Sequence, residues 1–310
     1  SNLDRFGVSG AYLEGLKWIE MLEANHSLSQ KEEWQVNEMK ALLLNERGNQ
    51  DEFLPIWYKL LKQYREADRP EDVGKCLLTI ANHFIMLEDY ENALPLYKEA
   101  YQLALEHKSI ELQQVSGIML IKYLCGAGYY SESLEYYNKI KPEIAFNPSM
   151  QNEVVKSYME LNKPDSARIY LAARLLSERG DKIVLNCMMA ETYIPEGQED
   201  SAFVFLDRAM KSYKEKAKNY QKQGREAILP NCFLSPCYLF ADLLWKKGKI
   251  QQASQYYMIV EPLMKERVKT PVRMELQIKA LTNFSSFCRE TKQYEKALDL
   301  LARRDSVLQT

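Results

Sequence analysis

The pattern that most constrains this chain is a pair of apolar stripes, both at helical spacing, separated by a short polar break. Leu77, Ile80, Ala81 and Phe84 recur on one helix face, Asp89 and Tyr90 mark a tight polar turn, and Ala93, Leu96, Tyr97, Ala100, Tyr101 and Ala104 repeat the i, i+3, i+4, i+7 spacing of a second buried stripe. Two helices joined by so short a turn must pack antiparallel. The small residues at fixed places mark where the two backbones approach, and the aromatic ones fill the space beside them.

The same unit recurs. With the small residue of the second helix as a marker, equivalents fall at Phe53, Ala93, Ser133, Ala167, Ala202, Ala253 and Ala297, at successive gaps of 40, 40, 34, 35, 51 and 44 residues. Turns are expected at Arg47-Gly48-Asn49, Glu88-Asp89, Gly126-Ala127-Gly128, Asn162-Lys163-Pro164, Glu196-Gly197-Gln198, Lys247-Gly248-Lys249 and Thr291-Lys292, where Gly, Asn and Pro end helices for steric reasons. Seven hairpins result, and the longer gaps are absorbed by extra helical turns. Phe53 in place of a small residue, and Arg174 and Arg304 at later small positions, predict looser packing in three of them. Residues 1–30 are expected to hold a capping helix with Leu13, Leu16, Ile19 and Leu22 on one face, and residues 31–310 a single elongated array.

Leu77, Ile80, Ala81, Phe84, Ala93, Tyr97 and Ala100 match position for position the signature of the tetratricopeptide repeat family, which this chain resembles over about nine tenths of its length. Leu105 stands where the family has Pro, which predicts that this helix continues for another turn. Other helical-hairpin solenoids share the spacing. The resemblance implies an all-α, right-handed superhelical array whose inner wall is lined by the first helix of each hairpin (helix A), and a function in holding a protein or peptide.

Composition agrees. Of the 310 residues, 46% are hydrophobic and 27% charged, which supplies a core, while Gly (12) and Pro (11) are scarce and Tyr (20) abundant. The net charge of −2 provides no basic field to gather phosphates, so no nucleic-acid partner is expected for this segment. No apolar run approaches the roughly 18 to 20 residues that span a bilayer. The chain opens Ser1-Asn2 without an initiator Met, the mark of a trimmed piece.

Catalytic chemistry finds no foothold. His26, His83 and His107 lie far apart, and no HExxH, GxSxG, Walker or GxGxxG pattern occurs. Cys76, Cys125, Cys187, Cys232, Cys237 and Cys288 are scattered singly through apolar segments and read as buried small hydrophobes. Neither enzyme activity nor a metal or cofactor is expected. The basic, Tyr-containing stretch 211–222 reads as a second helix extended past its neighbour with its flank in water, a partner site being the alternative.

The resemblance places partner binding on polar inner-wall positions offset from the packing residues: Lys75, Asn82, Lys122, Asn152, Lys156, Glu191, Tyr238, Asp242 and Trp245. Lysines concentrate toward the front hairpins and carboxylates behind them, so an extended ligand with an acidic end would suit the wall. The family's carboxylate clamp for chaperone tails is disfavoured, because Leu78 occupies its Lys position and only Asn82 and Lys122 agree with it.

The phrases Asp165-Ser166-Ala167, Asp200-Ser201-Ala202 and Asp305-Ser306-Val307-Leu308 resemble the repeat hairpins of Bacteroidetes membrane-anchored regulators, although an Asp or Ser there could simply cap a helix. That resemblance implies the periplasmic input domain of an inner-membrane transcriptional regulator or sensor kinase, with the membrane helix outside this chain and a homodimer contact as one means of signalling. A cytosolic scaffold is the alternative. A carbohydrate-capture lipoprotein is disfavoured because the repeats leave no room for its long additional domain.

Overall fold

The computed structural model describes residues 5–25, 27–47, 50–144, 150–177, 181–224, 228–265 and 271–309. Among them run fifteen α-helices and no strand: α1 Arg5–Asn25, α2 Gln30–Arg47, α3 Gln50–Glu66, α4 Pro70–Met86, α5 Tyr90–Glu106, α6 Ile110–Gly126, α7 Tyr130–Ile144, α8 Gln151–Glu160, α9 Pro164–Leu176, α10 Lys182–Tyr193, α11 Glu199–Lys222, α12 Leu234–Lys246, α13 Ile250–Val260, α14 Pro271–Glu290 and α15 Tyr294–Leu308. The chain forms two compact units, residues 1–154 and 155–310, which divide within α8. In the first, α1 packs on α2, and α2–α3, α4–α5 and α6–α7 are hairpins. In the second, α10–α11, α12–α13 and α14–α15 are hairpins, and α8 is joined to α9 by the same kind of turn. Among the described residues the chain is an all-α array of helical hairpins.

One joint recurs at eight of the described connections. Asp68, Glu88, Lys108, Asn162 and Lys292 adopt φ of 52 to 60°, and Gly128, Gly197 and Gly248 occupy the same left-handed place. At each, the amide of that residue bonds the carbonyl three back and the next amide bonds the carbonyl five back, as in Glu88 N to Ile85 O at 3.0 Å and Asp89 N to Phe84 O at 2.9 Å. These two bonds satisfy carbonyls that a helix end leaves orphaned. The residue that closes one helix then opens the next: Asp89 also accepts from Asn92 N at 3.1 Å as the N-cap of α5. The Asp-Ser phrases do not cap in this way. α9 begins at Pro164 and α11 at Glu199, so Asp165, Ser166, Asp200 and Ser201 lie inside the first helical turn, and Asp165 pairs with Arg168 at 3.0 Å. The turn expected at 47–49 falls outside the described residues at positions 48 and 49.

Helix and connector lengths together explain the irregular period. α3, α4, α5 and α6 are 17 residues each and are followed by three-residue joints where both neighbours are described, which produces the forty-residue spacing of the first unit. α11, at 24 residues, and the connector 223–233 together absorb the longest gap, and α11 carries the basic stretch 211–222 with its lysines exposed. α5 ends at Glu106, one residue after Leu105, so the missing Pro lengthens the helix by less than a turn.

The marker residues sit where the helices touch. Ala93, Ala167, Ala202 and Ala253 are completely buried, and Ser133, equally buried, donates its hydroxyl to Ile121 O at 2.8 Å, so the polar group costs little. The aromatic residues fill the step to the next hairpin: Tyr97 stacks on Tyr123 at 5.4 Å between ring centres and Tyr257 on Phe284 at 4.6 Å. Phe53 departs from expectation. Rather than loosening its hairpin it is 1% exposed, set against Trp57 and 5.0 Å from the His83 ring. Arg174, too, is buried rather than splayed outward. Neither ring nitrogen of His83 has a hydrogen-bond partner, and burial holds its pKa below the ordinary value, which keeps the imidazole neutral as a packing group. On α1 only Ile19 of the expected face is buried; Leu16 is half-buried, Leu22 is exposed, and the Leu13 side chain lies outside the described residues.

Replacement of Ala93 by Arg forces a guanidinium into this crossing and should destabilise the fold by about 1 to 3 kcal/mol or more, whereas Lys218→Arg on exposed α11 should cost nothing measurable. Urea unfolding followed by far-ultraviolet circular dichroism checks both; equal midpoints for the two variants would contradict the crossing.

Candidate functional site

The residues expected on an inner wall belong to α4, α6, α8, α10 and α12, and most occupy a single register. Tyr97 donates its hydroxyl to Asn82 Oδ1 at 2.5 Å, and Tyr257 donates to Asp242 Oδ1, in each case across fifteen residues of one hairpin. Lys122, Lys156 and Glu191 stand in the same place ahead of Tyr137, Leu171 and Leu206. Each of these five helices therefore carries one position of variable chemistry fifteen residues ahead of a residue that packs its hairpin.

In the first unit the structure brings Asn82 and Lys122 into one patch. Tyr123 stacks on the same Tyr97 that bonds Asn82, and Lys122 Nζ lies 5.1 Å from the Tyr123 ring centre, a cation over an aromatic face. α4 and α6 are in contact, which makes the patch continuous. Lys75 is exposed two turns earlier on α4, with Nζ 3.8 Å from Asp72, and Asn152 is exposed on the first turn of α8. The patch is open and carries positive charge.

The wall of the second unit has the opposite chemistry. Glu191 on α10 is half-buried; burial pushes its carboxyl up to about 7, against the opposing hydrogen bond from Ser235. Asp242 on α12 is 9% exposed and accepts from Tyr257 on one oxygen and from Asn283 Nδ2 on the other; burial raises its pKa while both hydrogen bonds work against that rise. Tyr238 belongs mainly to the core, at 5% exposed, and presents little surface. Trp245 packs edge-on against Phe287 and donates Nε1 to Glu290 Oε2 at 3.1 Å. Asp242, Trp245, Lys246, Asn283 and Glu290 line an open cavity of about 460 Å³ between α12 and α14. Lys156 on α8 is exposed, and its charge reaches Glu275 on α14, a carboxyl held below the usual range first by its hydrogen bond to Lys279.

Asn283 and Glu290 were not among the residues expected from sequence, and both complete the cavity. The forty-four-residue offset between the last two hairpins carries Trp245 to Arg289, the neighbour of Glu290, and was the signal available. Of the three histidines, His83 is sealed in a core, His107 is exposed, and His26 lies outside the described residues. No group of three or more His, Cys, Asp or Glu among the described residues is arranged to hold a metal ion. No described helix is long and apolar enough to cross a membrane.

No family model and no curated protein matches the chain. Among solved structures, it is similar to a chain in the crystal structure of the APC/C hetero-tetramer Cut9–Hcn1, at 13% identity and a TM-score of 0.31, over 96% of this chain and 72% of that one. The fold assignment rests on the hairpins themselves.

The Glu191 carboxyl supplies a test of the second wall. Folding raises its pKa from 4.5 to about 7, so the folded chain holds a proton that the unfolded chain releases, and stability should fall as pH rises between those two values. Glu191→Gln should flatten that fall. Urea midpoints of both proteins at about pH 5 and about pH 8 measure it; an unchanged difference between the two conditions would remove the protonated carboxyl from the wall.

Proposed function

We propose that this chain is a non-catalytic repeat domain that holds a protein or peptide partner on its A-helix walls. The observation that carries the reading is the shared register: Asn82, Lys122, Lys156, Glu191 and Asp242 occupy one position of successive hairpins, and their chemistry varies while the residues packing behind them are apolar or aromatic. Such a row suits recognition of an extended segment, one side chain per hairpin. The Lys122 patch suits an acidic stretch of the partner, and the cavity beside Trp245 suits basic or hydrogen-bond-donating residues that reach Glu290 and the aromatic face.

In the finer reading, the array is the periplasmic input domain of a membrane-anchored regulator or sensor kinase. The three Asp-Ser phrases support it, as does the face that α14 and α15 leave open. Leu298 is 67% exposed there, and with Tyr294, Leu301, Arg289 and Arg304 it borders a depression of about 390 Å³. Partner binding would act by favouring one arrangement of the hairpins or of a dimer over another, to the extent that the partner binds the two with different affinity.

Two measurements test these readings. Lys122→Glu and Trp245→Ala should each reduce capture of the native partner from a cell extract at least about tenfold, as expected when a charge or an aromatic anchor is lost from a binding surface, while Lys218→Glu on the outer flank leaves it unchanged. Retained capture by both wall variants, with loss in the flank variant, would defeat the wall. For the finer reading, fractionation of the native protein should recover this domain with the inner membrane, open to protease from the periplasmic side. Recovery as a cytosolic protein would leave the scaffold reading in its place.

A further inference from the structure

Two helix faces stay open in the folded chain, and their chemistry is complementary. On α1, Glu14, Trp18 and Met21 recur at i, i+4 and i+7, with Leu22 beside them. Trp18 is 60% and Met21 54% exposed, and Glu14, Lys17 and Glu20 around them are exposed as well. Of the other tryptophans, Trp34 and Trp57 are buried and Trp245 is half-buried. α2, which packs on α1, adds exposed Met39 and Leu42. Large apolar side chains gathered on adjacent helices, with charge among them, mark an interaction surface. The second face is that of α14 and α15. Ala297, Leu298 and Leu301 supply apolar lining to its depression of about 390 Å³, and Arg289 and Arg304 are the charged residues there, with no carboxylate among the lining. Arg304 bonds Asp305 at 2.7 Å, and Arg289 is exposed. Leu301 follows Tyr257 by the forty-four-residue offset of the last two hairpins, and the Tyr257 ring is stacked on Phe284 at 4.6 Å. The depression therefore occupies the place at which, one hairpin earlier, the array takes in an aromatic ring from another helix.

We propose that the α1–α2 face of one chain docks on the α14–α15 face of a second copy, with Trp18 seated in the depression and Glu14 and Glu20 turned to Arg289 and Arg304. Charge selects this pairing. Two α14–α15 faces brought together would oppose arginine to arginine, and two α1 faces would oppose glutamate to glutamate. The mixed pair instead sets two carboxylates and one lysine against two guanidinium groups. A guanidinium so placed also meets the face of the Trp18 ring. Because the contact joins two different surfaces, a docked pair still has one free face of each kind, and association continues into an open string or a closed ring. Neither face contains Asn82, Lys122, Lys156, Glu191 or Asp242, so self-association and capture of a partner on the wall fail separately.

Sedimentation of the whole chain over a wide range of concentration, at low and at moderate salt, tests this. The expected result is an average mass that rises with concentration past that of two chains and falls when salt screens the glutamate–arginine contacts. Trp18→Ala should weaken association at least about tenfold, as loss of an aromatic anchor does. Leu298→Glu, which sets a carboxylate against Glu14 and Glu20, should leave single chains, and Arg289→Glu in the same depression should act alike. All three residues are exposed, so the helical spectrum should not change. Mixed in equal amounts, Trp18→Ala and Leu298→Glu should form pairs and stop there, because each supplies the face that the other lacks. The mass of one chain at every concentration would overturn the proposal. So would a pair that persists in each variant alone, or a mixture no more associated than either variant by itself while the unaltered chain associates.

Discussion

The approach of two helix backbones at a single small residue is the constraint from which the rest of this structure follows. Ala93, Ala167, Ala202 and Ala253 have no exposed surface because the facing helix lies directly against their methyl groups. That closeness fixes each hairpin, and the hairpin in turn offers an aromatic ring to the next. The exceptions obey the same geometry by other means. Ser133 bonds its hydroxyl to a carbonyl of the opposing helix, and Phe53 is accommodated by Trp57 and by the neutral His83 ring.

Packing and wall chemistry meet in the same side chains. Tyr97 and Tyr257 each stack on a ring of the following hairpin, while their hydroxyls hold Asn82 and Asp242. A wall residue is thus oriented by the ring that sets the spacing to the next repeat. Any shift between hairpins moves that ring and, with it, the hydrogen-bond partner displayed on the wall. The reverse also holds: a partner that competes for Asn82 or Asp242 acts on a group already engaged in packing.

Most of the hairpin order was legible because alternation of small and aromatic residues is a local pattern that survives even when the period drifts from 34 to 51 residues. The drift itself is explained by the lengths of helices and connectors, which composition does not reveal. Two features were not legible. The burial of Arg174 and Phe53 depends on what neighbouring helices offer, and no spacing rule carries that information. The role of Asn283 depends on a contact across 41 residues, from α14 to Asp242. Of the expected wall, Asn82, Lys122, Lys156, Glu191 and Asp242 share a register that the repeat pattern already contained, whereas the burial of Tyr238 and the saturation of Asp242 emerged only from packing.

The uniform joint has a consequence for how such a chain changes over generations. The turn from α4 to α5 lies within a hairpin and the turns from α3 to α4 and from α5 to α6 lie between hairpins, yet all three are built alike around Glu88, Asp68 and Lys108. Neither kind of turn is specialised, so the stretch from α3 to α6 has no privileged seam. A duplication or deletion of one period can begin at any of these joints and still rejoin helix to helix with the same two hydrogen bonds. New hairpins can therefore be gained or lost without inventing a loop, and only the side chains at the crossing and on the wall need to adapt to their new neighbours.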